Sequence, residues 1–400
     1  SGSLGDLWTF STITNQWTWV GGSTAAGTSG AFSTGQGVAD AGNWPGARQD
    51  GAGWVDTADN LWLFGGTGFD DVGAEGLLND LWKYSTATGQ WTWVRGAATK
   101  DAPATYGTQA TPAAGNTPSG RKGVVTWFDP AGLTAAPGVA VTETTAGSLG
   151  VSAVQRLVVT AIGGTFTLTL DAQTSGPITW SATDATLATN IQAALDAALG
   201  AGIVTVAAAA TNTFDISFTA DGARSLFTAD VGGLVAGKAW MYGGEGNVAG
   251  RVVYNELWQF DGANWSWVSG TQAAFVAPAY SARGSVTLLG TPGSRYRPTA
   301  WVTTATGAAT STLWLFGGDV EAVSGTVTHP NDLWRYDSGY WTWVGGKSTD
   351  NPAGTYVGLG QQGQPGGRAA AAPWVDTTNK TLWLFGGDDH ADLWFYVYAP

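Results

Sequence analysis

The sequence predicts an all-β fold in which short four-stranded sheets repeat around an axis. Three observations predict it: aromatic words that recur in a fixed order, two-residue alternation inside each word, and glycine pairs between words. LWLFGG occurs verbatim at 61–66, 313–318 and 382–387, with a variant, AWMYGG, at 239–244. Asp or Glu followed by Leu-Trp and a later aromatic begins at Asp6, Asp80, Glu256, Asp332 and Asp392. W-[TS]-W-V begins at Trp17, Trp91, Trp265 and Trp341, and an Arg precedes a Trp by six residues at Arg48, Arg121, Arg295 and Arg368. Of the 23 Trp, all but Trp44 and Trp180 lie in these words. Alternating aromatic and β-branched residues signal strands. Four short strands cannot bury their faces alone, and radial stacking of such units, a β-propeller, solves that problem.

Each element has a local reason. The Gly pairs (Gly65 and Gly66, Gly243 and Gly244, Gly317 and Gly318, Gly386 and Gly387) end the second strand, where positive φ or close approach is needed. The Trp residues supply packing between sheets. A buried aromatic covers ~150–250 Å², or roughly 4–6 kcal/mol gross as an upper bound. The four repeat Arg stand at equivalent positions, which marks them as structural, paired with the carboxylate of a D-L-W word through the bidentate fit of guanidinium to carboxylate.

The Trp of the second word recurs at 8, 82, 258, 334 and 394, with spacings of 74, 176, 76 and 60. One step is about a hundred residues too long, which locates an insertion. The expected division is propeller at 1–132, an inserted α+β domain at 133–236, and propeller again at 237–400. Inside the insert, 154–160 and 165–170 alternate and read as a hairpin turning at Gly163 and Gly164. Residues 184–199 have helical apolar spacing, ended by Gly200 and Gly202. Residues 204–207 and 214–218 read as further strands.

At the run N-D-L-W-K-Y…G-Q-W-T-W-V, 79–94, the chain resembles the kelch family in its long, Trp-rich bacterial form. The insert is similar to modules of secreted bacterial and phage surface proteins. The resemblance implies a kelch-type β-propeller with about five blade positions, the first and last incomplete. Strand types number four, four, five and four, so one third-type strand is left over. Upstream residues completing a five-bladed ring, strands supplied by a neighbouring chain, and a four-bladed ring with a spare strand all remain open. The first residue is Ser and no signal peptide is visible, so the chain reads as mature, trimmed or a fragment.

Composition narrows the function. The chain has no Cys, which removes disulfides, thiolate metal sites and Cys nucleophiles, including the Cys-modified Tyr of copper-oxidase kelch propellers. Its net charge of −13 argues against nucleic acid and anionic membranes. No apolar run is long enough to span a bilayer. Asp388, Asp389 and Asp392 crowd one turn and form a candidate Ca²⁺ site of oxygen ligands; no other cofactor is expected. Loop aromatics Trp44, Tyr106, Tyr280 and Tyr356 are contact candidates, suited to stacking on sugar rings. The expected function is non-enzymatic: an extracellular or cell-surface bacterial protein making protein–protein contacts, with other copies of itself through terminal strands or the insert, in a filament, sheath or coat. A carbohydrate-binding propeller is the alternative, and a sugar-acting enzyme a more distant one.

Overall fold

Two-residue alternation makes every strand two-faced, and that property organises the molecule. In the strand Leu61–Phe69, Leu61 and Leu63 point into one cluster, with Trp82 and Trp91. Trp62 and Phe64 point into another, with Met241 and Trp258. The pattern repeats along Thr312–Phe316, whose Leu313 and Leu315 face one sheet while Trp314 and Phe316 face the next. The computed structural model describes residues 2–130, 138–161, 163–181, 183–231, 234–235, 237–247, 250–304 and 311–398.

Among the described residues the fold is all-β apart from one helix, and the repeats form five antiparallel sheets. The first has only Gly5–Ser11 and Gln16–Ser23. The second runs Ala52–Val55, Leu61–Phe69, Glu75–Ser85, Gln90–Arg95. The third runs Val125–Asp129, Lys238–Tyr242, Leu257–Phe260, Trp265–Ser269. The fourth runs Thr299–Thr303, Thr312–Phe316, Leu333–Asp337, Tyr340–Gly345. The fifth has three strands, Ala372–Asp376, Thr381–Phe385 and Leu393–Val397. In the first four sheets a bulge falls between the Leu and the Trp of the third strand, sharpening the local twist.

Four apolar clusters glue successive sheets together. Polar bonds stitch the same junctions: Trp127 Nε1 donates to the Trp314 carbonyl (3.2 Å) and Trp301 Nε1 to that of Trp383 (2.9 Å). Among the described residues, no strand of the fifth sheet pairs with one of the first.

Within the third sheet, Asp129 sits opposite Lys238, so the intervening chain leaves and returns at one point. The expected boundary residues 132, 133 and 236 lie outside the described residues. That intervening chain has its own core, in which Leu187, Ile191 and Leu195 present one face of the helix Asp184–Leu199 to Phe214 and Ile216. Gly200, at φ +101°, ends the helix and returns its N–H to Asp196.

The expected hairpin at Gly163 and Gly164 does not form. Ser152–Thr160 lies between Gly138–Thr145 and Thr213–Asp221, while Gly163–Leu170 pairs elsewhere, Gly163 opposite Val235. One edge of Ser152–Thr160 is taken by the strand just before it and the other by the remote Thr213–Asp221, and the glycines belong to a strand instead of a turn.

Candidate functional site: the uncovered end sheets

Each complete repeat is pinned by one buried constellation. Arg48 meets Asp80 with both terminal nitrogens at 2.7 Å, and Arg295 meets Asp332 at 2.9 and 3.0 Å. Arg121 reaches Glu256 at 2.8 Å and Arg368 reaches Asp392. The same four guanidiniums donate to the carbonyls of Gly65, Gly243, Gly317 and Gly386. The Trp two residues after each carboxylate donates its Nε1 to it, from Trp82, Trp258, Trp334 and Trp394. Buried charges persist when paired and hydrogen-bonded in this way. At Arg295, burial disfavours the charge and the Asp332 carboxylate overrides it, so its pKa rises.

The loop aromatics complete these constellations. Tyr106 donates its hydroxyl to Glu256, Tyr280 to Asp332 (3.0 Å) and Tyr356 to Asp392 (2.6 Å). Their rings pack on Trp258, Trp334 and Trp394. Phe32 takes the equivalent place on Trp82 without a hydroxyl. Burial first, then the neighbouring carboxylate, pushes the Tyr106 and Tyr280 hydroxyls up in pKa. Tyr106 and Tyr280 are thus half-buried packing residues. Tyr356 has an exposed ring, yet its hydroxyl is committed.

Sequence reasoning missed this role. An aromatic stands 12 to 16 residues ahead of every repeat Arg (Phe32, Tyr106, Tyr280, Tyr356), and that spacing was the available signal.

Trp44 has a different task. Trp265 packs edge-on to Phe64 of the preceding sheet, and Trp341 to Tyr242. Among the described residues the first sheet has no LWLFGG-type strand to offer Trp91 such a partner. Trp44 arrives from a loop instead, edge-on at 5.7 Å, with its Nε1 on the Gly5 carbonyl.

The structure does not group the three candidate Ca²⁺ ligands. Asp392 is surrounded by donors from Arg368, Tyr356 and Trp394, and a cation would have to displace a guanidinium. Asp388 accepts the Ala369 N–H, and Asp389 is exposed. Among the described residues no three His, Asp or Glu side chains are grouped to hold a metal.

Burial opposes ionisation of Asp392, yet these hydrogen bonds, Arg368 foremost, hold its carboxyl below the usual carboxylate range. A depressed pKa contributes stability above the unfolded value, ~3.9, and loses it as pH falls through the folded value. Melting temperature is therefore expected to drop on acidification below about pH 4, with a shallower drop in Asp392→Asn, read by thermal denaturation across pH.

The constellation is incomplete in the first sheet, and the packing is incomplete in both end sheets. Asp6 receives Trp8 Nε1 at 2.7 Å, and no arginine among the described residues faces it. Trp17, the counterpart of buried Trp265 and Trp341, is 67% exposed. On the fifth sheet Phe385, the counterpart of buried Phe64, is 46% exposed, and Trp374, counterpart of Trp127 and Trp301, is 53% exposed. Between the interior sheets the counterparts of these residues meet, Phe64 with Trp265 and Tyr242 with Trp341. Beside the free edge of Leu393–Val397 lies a cavity of about 200 Å³, lined by Phe316, Leu382, Leu384, Trp394 and Tyr396.

No family model matches the chain. No curated protein matches it either. A solved structure of YjhT is similar over 97% of this chain and 87% of that one, at 15% sequence identity and a TM-score of 0.31.

Proposed function

We propose that the chain is a non-enzymatic structural protein whose repeats are kelch-type propeller blades and whose work is protein–protein contact through its end sheets. The five sheets correspond to five blade positions, with the first and last short of strands. An extracellular bacterial setting, as a subunit of a surface filament, sheath or coat, is consistent with the absence of Cys and the acidic charge.

One observation carries the reading: the large exposed aromatics concentrate on the two terminal sheets, on the residues whose interior counterparts are buried between sheets. Contiguous apolar patches of this kind mark interaction sites. The repeat carboxylates support it from the other side. Each full set is committed to an arginine and a tryptophan, which leaves no free acid and base pair there for chemistry on a substrate.

Light scattering of the native protein tests the proposal. Concentration-dependent assembly is expected, and a monodisperse monomer at tens of micromolar would sink it.

A further inference from the structure

We propose that the long loops ahead of the second, third and fourth sheets are edge straps: each lies along the outer strand of the sheet it precedes and keeps that edge from adding a strand of another molecule. This goes beyond the function proposed above and does not depend on it.

The outer strands need a guard. Gln90–Arg95, Trp265–Ser269 and Tyr340–Gly345 each carry two Trp and a Val, with no Lys or Pro. Within its sheet each pairs along one edge, to the third strand. A row of unpaired N–H and C=O groups on such a strand is a template for another chain. Short segments of high β-propensity and low charge are the ones that aggregate when exposed.

The three loops are built alike to cover these edges. Each closes on itself at its base through a reciprocal pair of backbone hydrogen bonds. Ala31 pairs with Trp44, Thr105 with Thr117 and Ala279 with Thr291, at distances between 2.8 and 3.1 Å. Beyond the base, a left-handed residue turns its N–H onto the outer strand. Gly37 (φ +82°) donates to the Trp93 carbonyl at 2.8 Å, Ala110 (φ +58°) to that of Trp267 at 2.7 Å, and Gly284 (φ +75°) to that of Trp343 at 2.8 Å. The preceding side chain adds a second bond: Gln36 to the Gly96 carbonyl (2.7 Å), Gln109 to that of Val268 (3.0 Å) and Arg283 to that of Gly346.

Two of the straps are also locked by a buried amide. Asn43 donates Nδ2 to the Trp91 carbonyl at 3.2 Å, and Asn116 to that of Trp265 at 3.0 Å. In the second sheet the strap becomes a strand in its own right, Ala39–Asp40, opposite Thr92 and Trp91. The carbonyls at 91 and 93, and those at 265 and 267, are alternate residues, so they point out of one edge. The strap takes both in each case.

Ala110 is the lever for a test, because it is exposed and holds a backbone conformation that favours Gly and penalises β-branched residues. Ala110→Val combined with Asn116→Ala loosens the third sheet's strap, and Ala110→Gly tightens it. Hydrogen exchange of the full chain over residues 105–117 is expected to quicken about tenfold or more in the double variant, the scale of a lost hydrogen bond plus left-handed strain. It should slow in Ala110→Gly. A labelled peptide of residues 105–117 should then bind the double variant and not the wild type, in which the tethered strap outcompetes it. Thioflavin-positive aggregation should appear in the double variant first. Near-UV circular dichroism checks that each variant folds; should the double variant not fold, Ala110→Val alone gives the same comparison with Ala110→Gly. Unchanged exchange at 105–117 overturns the strap. Faster exchange with neither peptide capture nor aggregation overturns its role as a guard, and so does equal capture by the wild type. None of these results bears on the end-sheet reading, which light scattering decides.

Discussion

Arg295→Met is expected to destabilise the protein by about 3–5 kcal/mol, the usual cost of stranding a buried charge. Arg295 and Asp332 are both fully buried, and the guanidinium also donates to the Gly317 and Pro292 carbonyls. Met fills similar volume, so the loss is electrostatic and not a cavity. Asp332 would keep Trp334 and Tyr280 as donors, which tempers the penalty without cancelling it. Adding Asp332→Leu should return only part of the stability, because Trp334 Nε1 and the Tyr280 hydroxyl then lose their acceptor. Urea denaturation of the single and double variants measures both. A single-variant cost under about 1 kcal/mol, the scale of a surface pair, would show that the pair does not hold the sheet.

The second large effect concerns a glycine at an interior junction compared with its equivalent at the open end. Gly317 has φ +59°, and a methyl group there would stand 2.4 Å from the carbonyl oxygen of Arg368 in the next sheet. Gly386 has φ +65°, but a methyl group would meet only His390 of its own turn, at 3.2 Å. Both Ala variants incur left-handed strain of about 1–2 kcal/mol. Gly317→Ala must also push two sheets apart, with a further cost of about 1–3 kcal/mol as for overpacking. Equal losses in the two variants, by chemical denaturation, would mean that the adjoining sheet is not what requires glycine at 317.

Much of this was legible in the sequence because it depends on near neighbours. The recurring words mark the strands, and the shared position of Arg48, Arg121, Arg295 and Arg368 marks one repeated job. The helix at 184–199 follows from Leu187, Ile191 and Leu195 lying one turn apart. The hydrogen bonds of the loop aromatics were less legible, for the opposite reason. Nothing near Tyr106 or Tyr280 announces that its hydroxyl will reach a carboxylate 150 or 52 residues away. The glycines at 163 and 164 look like a turn until Ser152–Thr160 is seen to lie between the strand before it and the remote Thr213–Asp221.

Alternation therefore told which face of each strand is apolar, since a period of two acts along the backbone alone. Whether that face is covered is a different matter, because coverage depends on a neighbour brought in from far along the chain. Trp17 and Trp265 sit in nearly the same word; one lies open and the other is buried, and the difference is the presence of a preceding sheet. The same rule leaves Phe385 and Tyr396 bare while Phe64 and Tyr336 are packed, because among the described residues no sheet lies against the first pair.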